Sequence, residues 1–133
     1  MIFANYDFVE AKIDSYAGNS AYKDKYKPGV SKHCILFGVD ATPTKTIKLT
    51  ASQTLRSSAY RFDDFTNDGN DKQPIYRSTN LGASYKIGNY ELFAKATNIF
   101  GAKNGIVTKQ GSTAAYYPTE FEAVYTIGFS AKF

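Results

Sequence analysis

The chain has 133 residues, enough for one domain at most. One cysteine and one histidine exclude an internal disulfide framework, a cysteine zinc site and a histidine-rich metal site, so we expect neither metal nor cofactor. The net charge of +4 comes from 16 basic and 12 acidic residues mixed along the chain, so no nucleic-acid partner is expected.

The hydrophobic pattern alternates with a period of two, as in a strand whose side chains point to opposite faces. No stretch approaches the ~18 uninterrupted apolar residues of a membrane-spanning helix. The alternation predicts six strands in chain order: 2–9, 33–42, 47–57, 78–87, 90–100 and 121–133. The fifth is the least regular, because Phe93 has the same parity as Glu91 and Lys95.

The connections between these strands alternate between short and long. Short polar turns are predicted at 41–45 and 86–89, where Pro43 and Gly88 favour a tight turn. The other connections, 15–32, 63–74 and 101–119, are long and polar. Short turns at one end and long loops at the other are typical of outer-membrane barrels.

The alternation also fits a soluble β-protein, such as a lipocalin-like barrel that binds an apolar ligand, or a sandwich. Such folds present charges on the outward face and a dense core of Leu, Ile and Val. Here the polar faces carry mainly Ser, Thr, Asn and Gly, and the apolar faces carry many Ala and Tyr. The pattern therefore favours a membrane barrel with Leu49, Leu81 and Ile127 toward lipid and Thr50, Asn80 and Thr126 toward the lumen.

Four motifs in order resemble those of TonB-dependent outer-membrane receptors. Segment 90–100 resembles their penultimate strand, which ends in Asn, an aliphatic residue and Phe. Segment 116–118, Tyr-Tyr-Pro, and the terminal Ala-Lys-Phe resemble their closing hairpin. Segment 27–33 resembles a Pro-x-x-Pro-Lys-His motif, with Ser31 in place of the second proline, and 84–86 fits before a short turn.

This resemblance implies an all-β fold, an antiparallel meander of about six strands within a larger transmembrane β-barrel of about 22 strands. Residues 1–133 would be the C-terminal part of the barrel domain, a fragment without the plug domain. The implied function is energy-coupled uptake of a ferric siderophore or similar metal chelate across the bacterial outer membrane. The implied partners are outer-membrane lipid, the rest of the barrel and the plug, the TonB complex acting through that plug, the barrel-assembly machinery and the metal-chelate ligand.

No motif predicts an enzyme. A single histidine without a nucleophile elbow does not make a hydrolase triad, and no glycine-rich phosphate loop precedes a helix. The acidic run 63–71 lacks the spacing of an EF-hand, so it predicts a solvated polar loop rather than a calcium site.

Aromatic residues in the long connections are candidates for ligand binding, because their rings stack on aromatic ligands and nearby lysines attract anions. The alternative is that they form a membrane girdle or pack loop on loop. The candidates are Tyr22, Tyr26, Phe62, Phe65, Tyr116 and Tyr117. Charges on the lumenal face are expected to contact the plug, namely Lys48, Arg56, Glu91 and Lys95.

The last predicted strand has one apolar face that reaches the final residue. In the resembled family an aromatic-terminated strand is the signal for the barrel-assembly machinery, which would pair with it by β-augmentation. The alternative for Phe133 is a girdle position. The signal residues are Tyr125, Ile127, Phe129 and Phe133.

Overall fold

The computed structural model describes residues 1–69, 72–110, 113–120 and 122–132, and only the backbone of 106–110 and 113–120. Within these ranges, no helix is long and apolar enough to cross a membrane. The strands are β1 (Ile2–Phe8), β2 (His33–Ala41), β3 (Ile47–Arg56), β4 (Tyr76–Ile87), β5 (Tyr90–Thr97), β6 (Asn104–Gln110), β7 (Thr113–Glu120) and β8 (Val124–Ala131). A short 3-10 helix, Ser20–Tyr22, lies between β1 and β2.

Six strands form one antiparallel sheet in the order β1-β2-β3-β4-β5-β8. The predicted six-strand meander is therefore confirmed. The two short turns join β2 to β3 and β4 to β5 at one end, which we call the turn end; the long connections lie at the other, the loop end.

The segment 101–119 differs from its prediction as a loop. It contains β6 and β7, which pair as a separate antiparallel hairpin between β5 and β8. The segments Ile-Val-Thr at 106–108 and Tyr-Tyr at 116–117 are β-branched and aromatic, and such residues favour a strand. Three glycines and Pro118 in the same segment favoured the prediction of a loop.

The register gives the sheet two chemically distinct faces. One row of cross-strand neighbours is entirely apolar and defines the outer face: Ile2, Val39, Ala51, Leu81, Ala96 and Tyr125. A neighbouring row is polar or small and defines the inner face: Asp40, Thr50, Gly82, Lys95 and Thr126. Leu49 and Ile127 share the outer face and Asn80 shares the inner face, as predicted.

The apolar side chains do not form a conventional core. Among the described residues, Ala59 is the one hydrophobic residue that is fully buried, whereas Ile127 is 80% exposed. A soluble barrel or sandwich buries its apolar face against a second layer, so this arrangement disfavours that alternative. An exposed apolar face of this extent calls for an apolar surrounding.

Two inner-face phenylalanines cover glycines on the neighbouring strand. A Cβ on Gly128 would lie 2.7 Å from ring atoms of Phe93, and one on Gly38 would lie 2.5 Å from the ring of Phe3. Each ring therefore occupies the space that a side chain on the neighbouring strand would fill. This packing explains why Phe93 interrupts the polar parity of β5.

The two faces predict opposite tolerance to charge at matched depth on β8. We expect the outer face to contact lipid, so Ile127→Arg should destabilise the complete protein, refolded into lipid vesicles, by about 2–4 kcal/mol. Thr126→Arg, one residue away on the inner face, should have a milder effect. Urea titration of both variants measures the difference, and equal effects would refute the assignment of the faces.

Candidate binding surfaces at the loop end

The two long connections, 9–32 and 57–75, are fastened together by one asparagine. The Asn67 side chain accepts a hydrogen bond from the backbone N–H of Tyr26 and donates one to its carbonyl at 3.0 Å. Asn67 has a φ of 58°, a left-handed conformation that asparagine tolerates better than most residues. The amide thus pairs with Tyr26 as a strand backbone would, across 41 positions of sequence.

The acidic residues at 63–68 form hydrogen bonds and an ion pair within their own loop. Asp64 is 3% exposed and accepts hydrogen bonds from the N–H groups of Asp68 at 3.2 Å and Gly69 at 3.0 Å. Arg61, also buried, pairs with Asp63 at 3.1 Å. The expectation of a solvated loop is therefore wrong for Asp64, whose carboxylate replaces water with backbone donors. In the described part of the chain, no cluster of three potential metal ligands occurs.

Two of the predicted ligand-binding aromatics, Tyr22 and Phe65, contact each other. Their ring centroids are 5.4 Å apart, and Tyr16 lies 5.3 Å from Tyr22 and 5.7 Å from Phe65. Edge and tilted contacts at these distances are favourable for aromatic pairs. The three rings join the first long connection to the second, which is the loop-on-loop packing considered as the alternative.

A third predicted aromatic, Tyr26, belongs to a cation–π cluster. It stacks on Tyr60 with ring centroids 6.3 Å apart, and the ammonium of Lys32 lies 3.6 Å above its ring. Lys72 lies 4.7 Å from the Tyr60 ring and Lys12 lies 5.5 Å from the Tyr26 ring. We call these five residues the lysine–tyrosine cluster.

Glu10 is the carboxylate beside this cluster. It pairs with Lys12 at 3.4 Å and accepts a hydrogen bond from the Tyr26 hydroxyl at 3.2 Å. The hydrogen bond and charge of Lys12, followed by the Tyr26 hydroxyl, lower the pKa of this carboxyl below its ordinary value. Glu10 therefore stays charged into mildly acidic solution, and its small contribution is lost only as the pH falls through the lowered pKa.

Phe62 lies on the side of the sheet that carries the inner face. About half of it is exposed, and its ring fills the space beside Gly29, where the backbone has a φ of 75°. With inner-face residues Arg56 and Tyr76 it lines a cavity of about 500 Å³, which we call the inner cavity. The Arg56 guanidinium lies 4.9 Å from the Tyr76 ring. An anionic or aromatic ligand would find a cation and two rings here.

The remaining predicted aromatics, Tyr116 and Tyr117, lie on β7 opposite Val107 and Ile106, and their side chains lie outside the described residues. The structure therefore separates the six candidates. Tyr22 and Phe65 join loops, Tyr26 joins the lysine–tyrosine cluster, and Phe62 faces the inner cavity.

The inner face near the turn end carries three of the four predicted plug contacts in one place. Lys48, Glu91 and Lys95 line a shallow cavity of about 400 Å³. Arg56 lies apart from them, in the inner cavity.

Two buried asparagines at the loop end were not among the predicted site residues. Asn98, 1% exposed with a φ of 51°, exchanges two hydrogen bonds with the backbone of Ala102, each at 2.9 Å. Asn104, 2% exposed, does the same with Arg77 at 3.0 and 2.8 Å. Asn98 belongs to the motif noted at the end of the fifth strand, which was the available signal.

The predicted assembly residues on β8 share its outer face. Tyr125, Ile127 and Phe129 lie opposite Ala96, Ala94 and Leu92 of β5. In the described part of the sheet, β8 and β1 are the edges, each paired on one side. Phe133 lies outside the described residues.

A six-strand meander with an apolar outer face, a polar inner face and short turns at one end is a segment of a β-barrel wall. Sequence comparison finds no family model and no curated protein that matches the chain. Its structure is similar to the crystal structure of the ferric citrate transporter FecA in the unliganded form, with a TM-score of 0.79 and 20% sequence identity. The alignment covers 96% of this chain and 20% of FecA, so the chain spans about a fifth of that protein.

This likeness confirms the predicted fold, an antiparallel meander of about six strands belonging to a larger barrel. The structure that the chain resembles is that of a transporter, not of an enzyme.

The Asn67 contact predicts a specific loss of protection. Asn67→Gly keeps the left-handed backbone but removes both hydrogen bonds to Tyr26, which should weaken loop docking by about 1–3 kcal/mol. Hydrogen exchange at the Tyr26 amide should accelerate accordingly. Asn19→Gly, which removes a local hydrogen bond to Ala21, is the control and should leave the Tyr26 amide unchanged. Unaltered exchange in Asn67→Gly would show that other contacts hold the loops.

Proposed function

We propose that this chain is the C-terminal wall segment of a bacterial outer-membrane receptor that imports a metal chelate, such as a ferric siderophore, with energy supplied through TonB. The observation that carries the proposal is the unbroken apolar row across the outer face of a barrel-type sheet. The likeness in fold to a ferric citrate transporter and the four motifs in order support it.

The edges of the sheet support a larger barrel. The described sheet ends at β1 and β8, and each leaves one row of backbone N–H and C=O groups without a neighbouring strand. In lipid each unsatisfied group costs several kcal/mol, so further strands must close the wall. We therefore propose that residues 1–133 belong to a barrel of about 22 strands whose plug domain is contributed by another part of the protein.

The inner face suits the two partners inside such a barrel. Lys48, Glu91 and Lys95 offer both signs of charge near the turn end, where a plug would pack. Arg56, Phe62 and Tyr76 offer a cation and rings near the loop end, where a chelate would enter. Tyr116 and Tyr117 are further candidates on the hairpin. Transport of this kind involves no covalent chemistry in this segment.

The ligand role is tested by uptake and binding in cells that carry the complete protein. With ⁵⁵Fe-labelled ferric citrate as an anionic probe, Arg56→Gln should weaken binding by about 10- to 150-fold, since a charge-assisted contact contributes about 1.5–3 kcal/mol. Phe62→Ala should weaken it less. A neutral ferric hydroxamate should respond to Phe62→Ala but little to Arg56→Gln.

Leu49→Ala on the outer face is the control and should leave uptake unchanged. Unchanged affinity in both inner-cavity variants would refute this site while leaving transport intact. Failure of the complete protein to support uptake of any chelate would refute the transport proposal itself.

We also propose that Tyr125, Ile127, Phe129 and Phe133 form the signal for barrel assembly. Deletion of Phe133 should then abolish insertion with synthesis unchanged. A mere girdle residue would lose about 1.5–3 kcal/mol of burial and still insert. The ratio of surface-exposed to total protein separates these outcomes, and near-normal insertion would contradict the signal role.

A further inference from the structure

We propose that the outer side of this wall, at its loop end, binds the phosphate group of a membrane lipid through Lys12, Lys32 and Lys72 around the Tyr26–Tyr60 stack. The lipid's acyl chains would lie along the apolar outer face. This site rests on the proposed function only in requiring that the outer face contact lipid; it is separate from the path of the chelate.

The position of the cluster follows from the register. His33 lies opposite Phe8 in the ladder and so belongs to the outer face. The rings of Tyr6 and Phe8 contact the His33 ring, at 6.1 and 5.4 Å between centroids, and the Tyr6 hydroxyl bonds to its Nδ1 at 2.9 Å. His33 and four of the five cluster residues, Tyr26, Tyr60, Lys32 and Lys72, line one cavity of about 280 Å³, which we call the outer cavity. Lys12 lies beside it, over the Tyr26 ring. The apolar face therefore leads directly into the outer cavity.

The inner and outer cavities lie on opposite sides of the same wall. Arg56 and Tyr76, cross-strand partners on the inner face, line the inner cavity, whereas His33 and Ser57 line the outer one. The backbone N–H of Ser57 bonds to the His33 carbonyl at 2.9 Å, which extends the β2–β3 ladder beneath the outer cavity. A chelate passing through the lumen does not reach the three lysines.

The charge of the outer cavity is unbalanced. Of the three lysines, Lys12 pairs with Glu10 at 3.4 Å. Among the described residues, no carboxylate lies within ion-pair distance of Lys32 or Lys72; both contact tyrosine rings instead. Glu10 pairs directly with Lys12 and acts on Lys32 only at longer range, so in the described part of the chain Lys32 and Lys72 have no carboxylate in direct contact. A phosphate supplies that charge, and lysine binds phosphate as a compact point charge.

The aromatic rings hold the site in place. The Tyr26–Tyr60 stack lies under two of the ammonium groups, and the Asn67 contact fixes the backbone of Tyr26. Tyrosines at the edge of an apolar band are typical of the membrane interface, where one end of the side chain is apolar and the other is hydrated. Basic residues at this level bind anionic headgroups.

The experiment uses the complete protein that contains this chain, purified in detergent. Native mass spectrometry and thermal unfolding measure binding of three probes: diphosphoryl lipid A, its dephosphorylated form and inorganic phosphate. The wild type should bind the diphosphoryl lipid and be stabilised by it. The double variant Lys32→Gln with Lys72→Gln should bind it at least tenfold more weakly.

Two further variants make the test specific. Lys48→Gln with Lys95→Gln removes the same charge from the inner face and should bind the lipid like the wild type. Lys32→Arg with Lys72→Arg keeps both charges and should bind it too, which separates lost charge from lost folding. Ferric citrate binding, measured on the same samples, should be the same in the wild type and in both variants of Lys32 and Lys72.

Several results would overturn the proposal. Equal binding of the dephosphorylated lipid would show that the phosphate group is not recognised. Equally tight binding of inorganic phosphate would show that the site binds a free anion rather than a lipid. An equal loss of lipid binding in the variant with Lys48→Gln and Lys95→Gln would show that binding depends on the net charge of the protein and not on this site. Failure of the wild type to bind ferric citrate, with lipid binding intact, would count against the transport proposal alone.

Discussion

The rest of the structure depends on one constraint, the strict register of six strands. A slip of one residue at any interface would turn a whole strand over and place its polar side chains on the apolar face. The row from Ile2 through Leu81 to Tyr125 crosses every interface of the sheet without such a slip. Because the faces are kept apart in this way, the inner cavity and the outer cavity can occupy opposite sides of a single layer.

Where the strand ladder stops, asparagine side chains continue its hydrogen bonding. Asn67, Asn98 and Asn104 each present an amide oxygen and nitrogen to the N–H and C=O of one other residue, as a neighbouring strand would. Buried backbone groups need such partners, and long loops supply few of their own. The loop end is thereby ordered without a conventional hydrophobic core, and its aromatic and basic side chains are held in defined positions.

The sequence predicted the sheet well because the period of two is a local property. The strand positions, the two faces and the short turns all follow from residues close together in the sequence. The loop end was harder to predict. Asn67 contacts Tyr26, 41 positions away, and such a pairing leaves no local pattern. Asp64 is buried by hydrogen bonds within its own irregular loop, which has no periodicity to reveal them. The aromatic candidates are alike in residue type, but their surroundings differ: Tyr22 and Phe65 contact each other, Tyr26 stacks on Tyr60, and Phe62 lines the inner cavity. Phe93 departs from the alternating pattern because its ring packs over Gly128 on a different strand.

The two phenylalanine–glycine pairs also shape the relief of the inner wall. A ring leaning over a glycine fills a hollow instead of raising a ridge, so the surface at Phe3–Gly38 and Phe93–Gly128 is levelled. Packed surfaces interlock through ridges and hollows, and a levelled surface offers few of either. A domain packed against the inner face would be held more by polar contacts with residues such as Lys48 and Glu91 than by steric interlocking. Such contacts can be exchanged one at a time for water, which lets the domain move past the wall in small steps.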